Sequence, residues 1–172
     1  MKIINENKVG NIGLNGLTGY LWNLSLMGYS EIIDEKIEYL LTKLNGSFLH
    51  LTGKNYSPYV LNGSSGLALF LMNYNFKKYE TQIISISNGM NVKFAKSMDF
   101  EKGLLGISYF LLEVYKKTGD KKYLNWVDEQ LQTCQVFVKN KKLYNFYTKN
   151  YEEDFLKGYK GYLFVKEMRE RL

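Results

Sequence analysis

The chain has 172 residues, 45% of them hydrophobic and 23% charged, with a net charge of +6. This is most simply a single domain over residues 1–172, large enough for a hydrophobic core and ordinary in composition for a soluble globular protein. One cysteine, Cys134, and one histidine, His50, exclude an internal disulfide framework and a self-contained Cys/His zinc site. No apolar run is long enough to span a membrane and "MKIINENKVG" does not resemble a signal peptide, so the expectation is a cytoplasmic chain. The lysines fall in scattered pairs, Lys77-Lys78, Lys116-Lys117, Lys121-Lys122 and Lys141-Lys142. A nucleic-acid groove would concentrate them in a stripe with stacking aromatics, so the positive charge reads as solvated surface and no nucleic-acid partner is expected.

In chain order, "LNGLTGYLW" opens an apolar helix carrying Tyr20, Trp22 and Leu24. "SEIIDEKIEYLLTKL" follows as an amphipathic helix with Ile33, Ile37, Leu40, Leu41 and Leu44 on one stripe. Gly46 to Tyr59 reads as a loop. "LNGSSGLALF" starts a second apolar helix with Leu67, Leu69, Phe70 and Leu71, and "FKKYETQIISIS" is its shorter amphipathic partner. After a loop from Asn88 to Asp99, "EKGLLGISYF" starts a third apolar helix. Its partner, "KKYLNWVDEQLQTC", places Leu124, Val127, Leu131 and Cys134 on one stripe, which makes Cys134 a small core residue. Within the loop from Val136 to Asp154, "VFVKNKKLYNFYTKN" alternates around a Lys/Asn turn and predicts a β-hairpin. "LKGYKGYLF" opens a last apolar helix with Tyr162, Phe164 and Val165. Apolar inner helices alternating with amphipathic outer ones predict an all-α, double-layered arc of helical hairpins.

Each apolar helix begins with Gly-x-x-Gly: Gly16/Gly19, Gly63/Gly66, Gly103/Gly106 and Gly158/Gly161. Flanking residues repeat as well, Leu-Asn before the first two pairs and Asp-Phe-x-Lys before the last two, which marks an internal repeat. Glycine inside a helix costs about 1 kcal/mol relative to alanine, so the pairs need a reason. Small residues at i and i+3 share one face and admit a close backbone or ligand there, and free N–H groups at the same end can meet a ligand or a cap.

"VLNGSSGLALFLMNY", "DFEKGLLGISYFLLEVYKKTGDKKYL" and "DFLKGYKGYLF" resemble the lanthionine synthetase C-like cyclases. The resemblance is nearest to the C-terminal part of the cyclase domain in kinase–cyclase lanthipeptide synthetases. It implies an α/α toroid whose inner helices start with Gly-x-x-Gly, of which this chain would supply about half. The implied activity adds peptide cysteine thiols to dehydrated serine or threonine in a precursor peptide. Implied partners are that peptide, the kinase or lyase part of a synthetase, another cyclase half, or a second copy of the chain. Zinc-dependent members place Cys and Cys-His directly before the first glycine of two late units. Here those positions read Leu14-Asn15, Leu61-Asn62, Glu101-Lys102 and Leu156-Lys157, so the expectation is a zinc-independent protein without cofactor.

Asn15, Asn62, Lys102 and Lys157 share one repeat position. In the toroid reading they point at the floor, where Lys102 and Lys157, with Glu101 beside them, are catalytic candidates able to stabilise a thiolate or an enolate. Asn15 and Asn62, with Gly63, Gly66, Gly103, Gly106, Gly158 and Gly161, are the substrate-binding candidates. The alternative is that these side chains cap loops or face solvent. A non-catalytic peptide-binding or ring-completing module is the second functional reading. Asp99 and Asp154 also match by repeat; as paired acids they admit an α/α-toroid glycosidase, and as residues just before a helix they admit a capping role.

Overall fold

The computed structural model describes residues 12–42, 44–45, 48–51 and 55–172. The chain divides into two compact units, Met1–Gly89 and Met90–Leu172. In the N-terminal unit, helices α1 (Leu17–Leu26) and α2 (Ser30–Leu41) precede a small antiparallel sheet of β1 (Leu44–Asn45), β2 (Phe48–Leu51) and β3 (Asn55–Tyr56), followed by α3 (Ser64–Asn88). The C-terminal unit repeats this order. Helices α4 (Leu104–Thr118) and α5 (Lys122–Val136) precede an antiparallel sheet of β4 (Val138–Lys139), β5 (Lys142–Asn145) and β6 (Asn150–Glu152), then α6 (Tyr159–Glu170). The helical expectation holds, and among the described residues no helix is long and apolar enough to cross a membrane.

The predicted stripes bury in large part, but α2 stops at Leu41, which is half-buried, and Leu44, expected on the same stripe, lies in β1. Ile33, Ile37 and Leu40 of α2 are buried, as are Leu124, Val127, Leu131 and Cys134 of α5. Each such aliphatic side chain contributes roughly 2 kcal/mol relative to exposure. The apolar helices divide into two kinds. Leu67 to Met72 of α3 are all buried, and α4 buries Leu104, Leu105, Ile107, Phe110, Leu111, Leu112 and Val114 because it packs on both α5 and α6. By contrast, α1 buries only Leu17, Thr18 and Leu21, and α6 only Gly161, Tyr162 and Val165. Tyr162 and Val165 are therefore core residues, whereas Tyr20 and Leu26 on α1 and Leu163 and Phe164 on α6 are exposed.

Helix joints differ in chemistry. Gly28 (φ 84°) and Gly119 (φ 70°) end α1 and α4 in the left-handed region, which glycine enters without a Cβ penalty. In α3 the inner and outer helices meet without a loop: Asn75 is extended (φ −161°, ψ 87°) and its own Oδ1 accepts the Lys78 N–H at 3.1 Å, capping the outer helix. The predicted hairpin is β4–β5, turned by Asn140 (φ 51°) and Lys141 (φ 56°), both left-handed as a type I′ turn demands. Two strand regions went unread. β6 extends the hairpin; β1 takes Leu44 from the end of the predicted second helix, and β2 and β3 lie within the predicted Gly46–Tyr59 loop, placing His50 in β2 opposite Tyr56.

Irregular backbone after α3 is pinned to the C-terminal unit's core by one buried amide. Gln130 Nε2 donates to the Met90 and Val92 carbonyls at 2.9 and 3.0 Å, while its Oε1 accepts from Ser108 Oγ at 2.8 Å. A buried polar side chain with both ends bonded avoids the desolvation cost it would otherwise carry. This anchoring holds the segment leading to Asp99, where the candidate site begins.

Candidate functional site

The glycine pairs are explained by the chain's own backbone. Before each of the last three inner helices the loop wraps back over the helix start, and carbonyls seven residues upstream cap the first N–H groups. Ser64 N–H donates to Ser57 O (2.9 Å) and Ser65 N–H to Pro58 O; Leu104 N–H donates to Ser97 O (3.0 Å) and Leu105 N–H to Met98 O (3.3 Å); Lys160 N–H donates to Glu153 O (3.1 Å). A Cβ on Gly63 would lie 1.8 Å from Ser57 O, one on Gly103 2.5 Å from Ser97 O, and one on Gly158 2.4 Å from the Glu152 carbonyl carbon. Three of the second glycines are just as confined: Gly19 faces Leu14 O at 1.9 Å, Gly66 Val60 O at 2.0 Å and Gly161 Phe155 O at 2.2 Å. These first-turn N–H groups are thus taken by loop carbonyls and not left for a ligand.

Consecutive turns within a unit are also tied to each other. In the N-terminal unit Leu14 N–H donates to Val60 O (3.2 Å) and Asn15 N–H to Leu61 O (2.9 Å). In the C-terminal unit Phe100 N–H and Glu101 N–H both donate to Leu156 O at 3.0 Å. Residues just before the glycines are thereby brought together in pairs.

In the C-terminal unit this produces a cleft of about 150 Å³ lined by Glu101, Lys102 and Lys157 together with Asp99, Asn145, Tyr147 and Thr148. All three catalytic candidates meet there. Lys102 Nζ pairs with Glu101 Oε1 at 3.2 Å. Lys157 is exposed, and its ammonium makes no ion pair among the described residues. Tyr147 forms an exposed aromatic rim, with the Lys96 ammonium 5.4 Å from its ring centroid.

Beneath them, Asp99 is buried. Its Oδ1 accepts the Lys102 N–H (2.7 Å), and its Oδ2 accepts Ser97 Oγ–H (2.5 Å) and Asn145 Nδ2–H (2.9 Å). Burial pushes the carboxyl above the ordinary aspartate range, against the pull of these donors. Asp154 makes the equivalent bond to the Lys157 N–H at 2.8 Å but is exposed. Both acids thus close the turn before a glycine pair, in agreement with capping, although the N-cap position itself belongs to Gly103 and Gly158.

Elsewhere the candidates lie apart from charge. Asn15 is exposed; Asn62 is half-buried with its Oδ1 buried and unbonded among the described residues. Gly63, Gly66, Gly103, Gly106, Gly158 and Gly161 are buried. A zinc centre does not fit the donor set. No thiolate or imidazole precedes any glycine pair, and Cys134 is buried on α5 with its thiol toward Met98 O and pushed up in pKa by burial.

Asn145 went unnoticed in the sequence. It sits in a segment read only for its alternation, and nothing local marks it as more than a turn residue. A positional signal exists: Asn145 stands as many residues before Gly158 as His50 does before Gly63.

With this geometry in place, residues 95–171 match the family model described as Lanthionine synthetase C-like protein. The resemblance carried by "DFEKGLLGISYFLLEVYKKTGDKKYL" and "DFLKGYKGYLF" is borne out over that segment. No curated protein matches the chain.

Proposed function

We propose, from a chain whose residues 95–171 are lanthionine synthetase C-like, that the cleft of the C-terminal unit binds a dehydrated precursor peptide and assists thioether ring formation without zinc. The observation supporting this reading is the meeting of Glu101, Lys102 and Lys157 in one cleft. In the addition, a cysteine thiol of the peptide gives its proton to the Glu101 carboxylate, and the sulfur bonds the β-carbon of dehydroalanine or dehydrobutyrine. The double-bond electron pair moves into the enolate, and the α-carbon takes a proton back, so no co-reactant is consumed. Lys102 and Lys157 supply fixed positive charge beside the thiolate and the enolate oxygen. The buried glycines act through the turns they permit, and side chains at the rim, Tyr147 among them, meet the peptide.

The exposed Leu163 and Phe164 on α6 support a reading in which the chain works with a further cyclase segment, a kinase or lyase part, or a second copy. The test uses a chemically dehydrated model peptide carrying one cysteine and one dehydroalanine, with the chain alone and with its synthetase partner. Ring closure is read as loss of alkylatable thiol. A loss that disappears in Lys102→Ala and Lys157→Ala supports the cyclase reading. Peptide binding without any thiol loss replaces it with the non-catalytic binding module.

A further inference from the structure

We propose that Asn145 is the positioning residue of this cleft: its carboxamide ties the two glycine-pair turns of the C-terminal unit together and so fixes the spacing of Lys102 and Lys157. The use of that spacing in thioether chemistry rests on the reading above; the spacing itself does not.

Asn145 ends β5 and is 1% exposed. Its Oδ1 accepts the Tyr147 N–H at 2.8 Å and the Thr148 N–H at 3.1 Å. Two backbone donors on one atom identify that atom as the oxygen, so Nδ2 is the end that points into the cleft floor. There it donates to Asp99 Oδ2 at 2.9 Å and to the Lys157 carbonyl at 3.3 Å. Because Asp99 Oδ1 holds the Lys102 N–H, an unbroken hydrogen-bonded path runs from the backbone of Lys102 through Asp99 and Asn145 to the backbone of Lys157. Both acceptor sites and both donors of the carboxamide are in use. Aspartate keeps the shape and the acceptors but has no donor, and leucine keeps only the volume.

The ionisable groups around this path are Asp99, Glu101, Lys102 and Lys157, with Cys134 buried behind Asp99. In Asn145→Asp a second carboxylate would face Asp99 across the 2.9 Å contact, and two carboxylates so placed share one proton. The folded form of that variant gains a proton as pH falls, so its stability rises on acidification and is lost as pH rises through the shared pKa. Asn145→Leu adds no second carboxylate and keeps only the dependence of Asp99 itself. Exchanging the pair, Asp99→Asn with Asn145→Asp, again sets a donor against an acceptor.

The experiment uses the full chain and a short amine-reactive cross-linker, reading the Lys102–Lys157 cross-link by peptide mass mapping. Amide exchange at Lys102, whose N–H Asn145 does not touch, is read in parallel. Asn145→Leu, and Asn145→Asp at pH 7.5 to 8, about the working range of the reagent, are expected to lower the cross-link roughly tenfold or more. Lys102 should exchange faster in both, the melting temperature of Asn145→Asp should rise with acid more steeply than that of Asn145→Leu, and the exchanged pair should recover most of the cross-link. An unchanged cross-link in Asn145→Leu overturns the proposal. So does an exchanged pair no better than Asn145→Asp, which decides the matter if the leucine variant does not fold. Absence of thioether formation both in the unmodified chain and in its assembly with a synthetase partner would remove the proposed function while leaving these measurements to decide the role of Asn145.

Discussion

The two units build the same turn and fill it differently. Both cap an inner helix with carbonyls seven residues upstream, and both tie consecutive turns by backbone bonds. Four residues before the first glycine, however, the N-terminal unit has Ile12 and Tyr59, whereas the C-terminal unit has Asp99 and Asp154. Ile12 is buried and contributes only its carbonyl, which accepts the Thr18 hydroxyl. Asp99 is buried in the equivalent place and presents a carboxyl to three donors. The glycine turn is therefore a scaffold indifferent to chemistry, and the polar cleft is an addition made in one unit.

The largest effect should come from breaking what the units share. In Gly63→Ala or Gly103→Ala the new Cβ meets backbone oxygen at 1.8 or 2.5 Å, which no side-chain rotation relieves. Each is expected to cost about 3 kcal/mol or more in a urea titration, alike in both units. Gly119→Ala, with open space but φ 70°, should cost roughly 1–2 kcal/mol.

Next comes a change that separates the units. Asp99→Ala strands the Asn145 amide, the Ser97 hydroxyl and the Lys102 N–H, and should cost about 3 kcal/mol, while Asp154→Ala at its exposed counterpart should cost about 1 kcal/mol or less. The Asp99 pair with Asp99→Asn also has a pH signature. Because the folded carboxyl is raised, the native state holds its proton longer than the unfolded chain does. Stability relative to Asp99→Asn is then highest below the ordinary aspartate range and falls as pH rises through the raised value. Melting temperatures of both variants across acid to neutral pH check this; a difference that grows with pH would contradict it.

The smallest effect on stability belongs to Lys157→Ala, an exposed side chain whose loss should change folding by no more than about 0.5 kcal/mol. Peptide binding in the cleft should fall all the same, which would place the role of Lys157 in recognition and not in folding.

Much of this was legible in the sequence. Helix alternation, most of the outer stripes and the burial of Cys134 follow from spacing alone, and Lys102 and Lys157, equivalent by repeat, line one cleft of the C-terminal unit. What could not be read depended on contacts far apart in sequence. Asn145 matters through Asp99, and only the folded sheet brings them within 2.9 Å. The short strands β1–β3 carry too few residues for a period to emerge. The apolar pattern of α6 does not separate its faces: α4 and α5 cover the face with Tyr162 and Val165 and leave Leu163 and Phe164 exposed.

The loopless joint at Asn75 has a consequence for how this architecture tolerates change in length. An extra residue beside Gly28 or Gly119 would extend an exposed connection and leave both flanking helices in register. At Asn75 there is no slack to absorb it: one inserted residue turns the following helix by about 100°. Tyr79, Ile83 and Ile86, all now buried, would swing off the core together. Alignments of related chains should therefore show gaps at the two glycine joints and an ungapped block across Asn75.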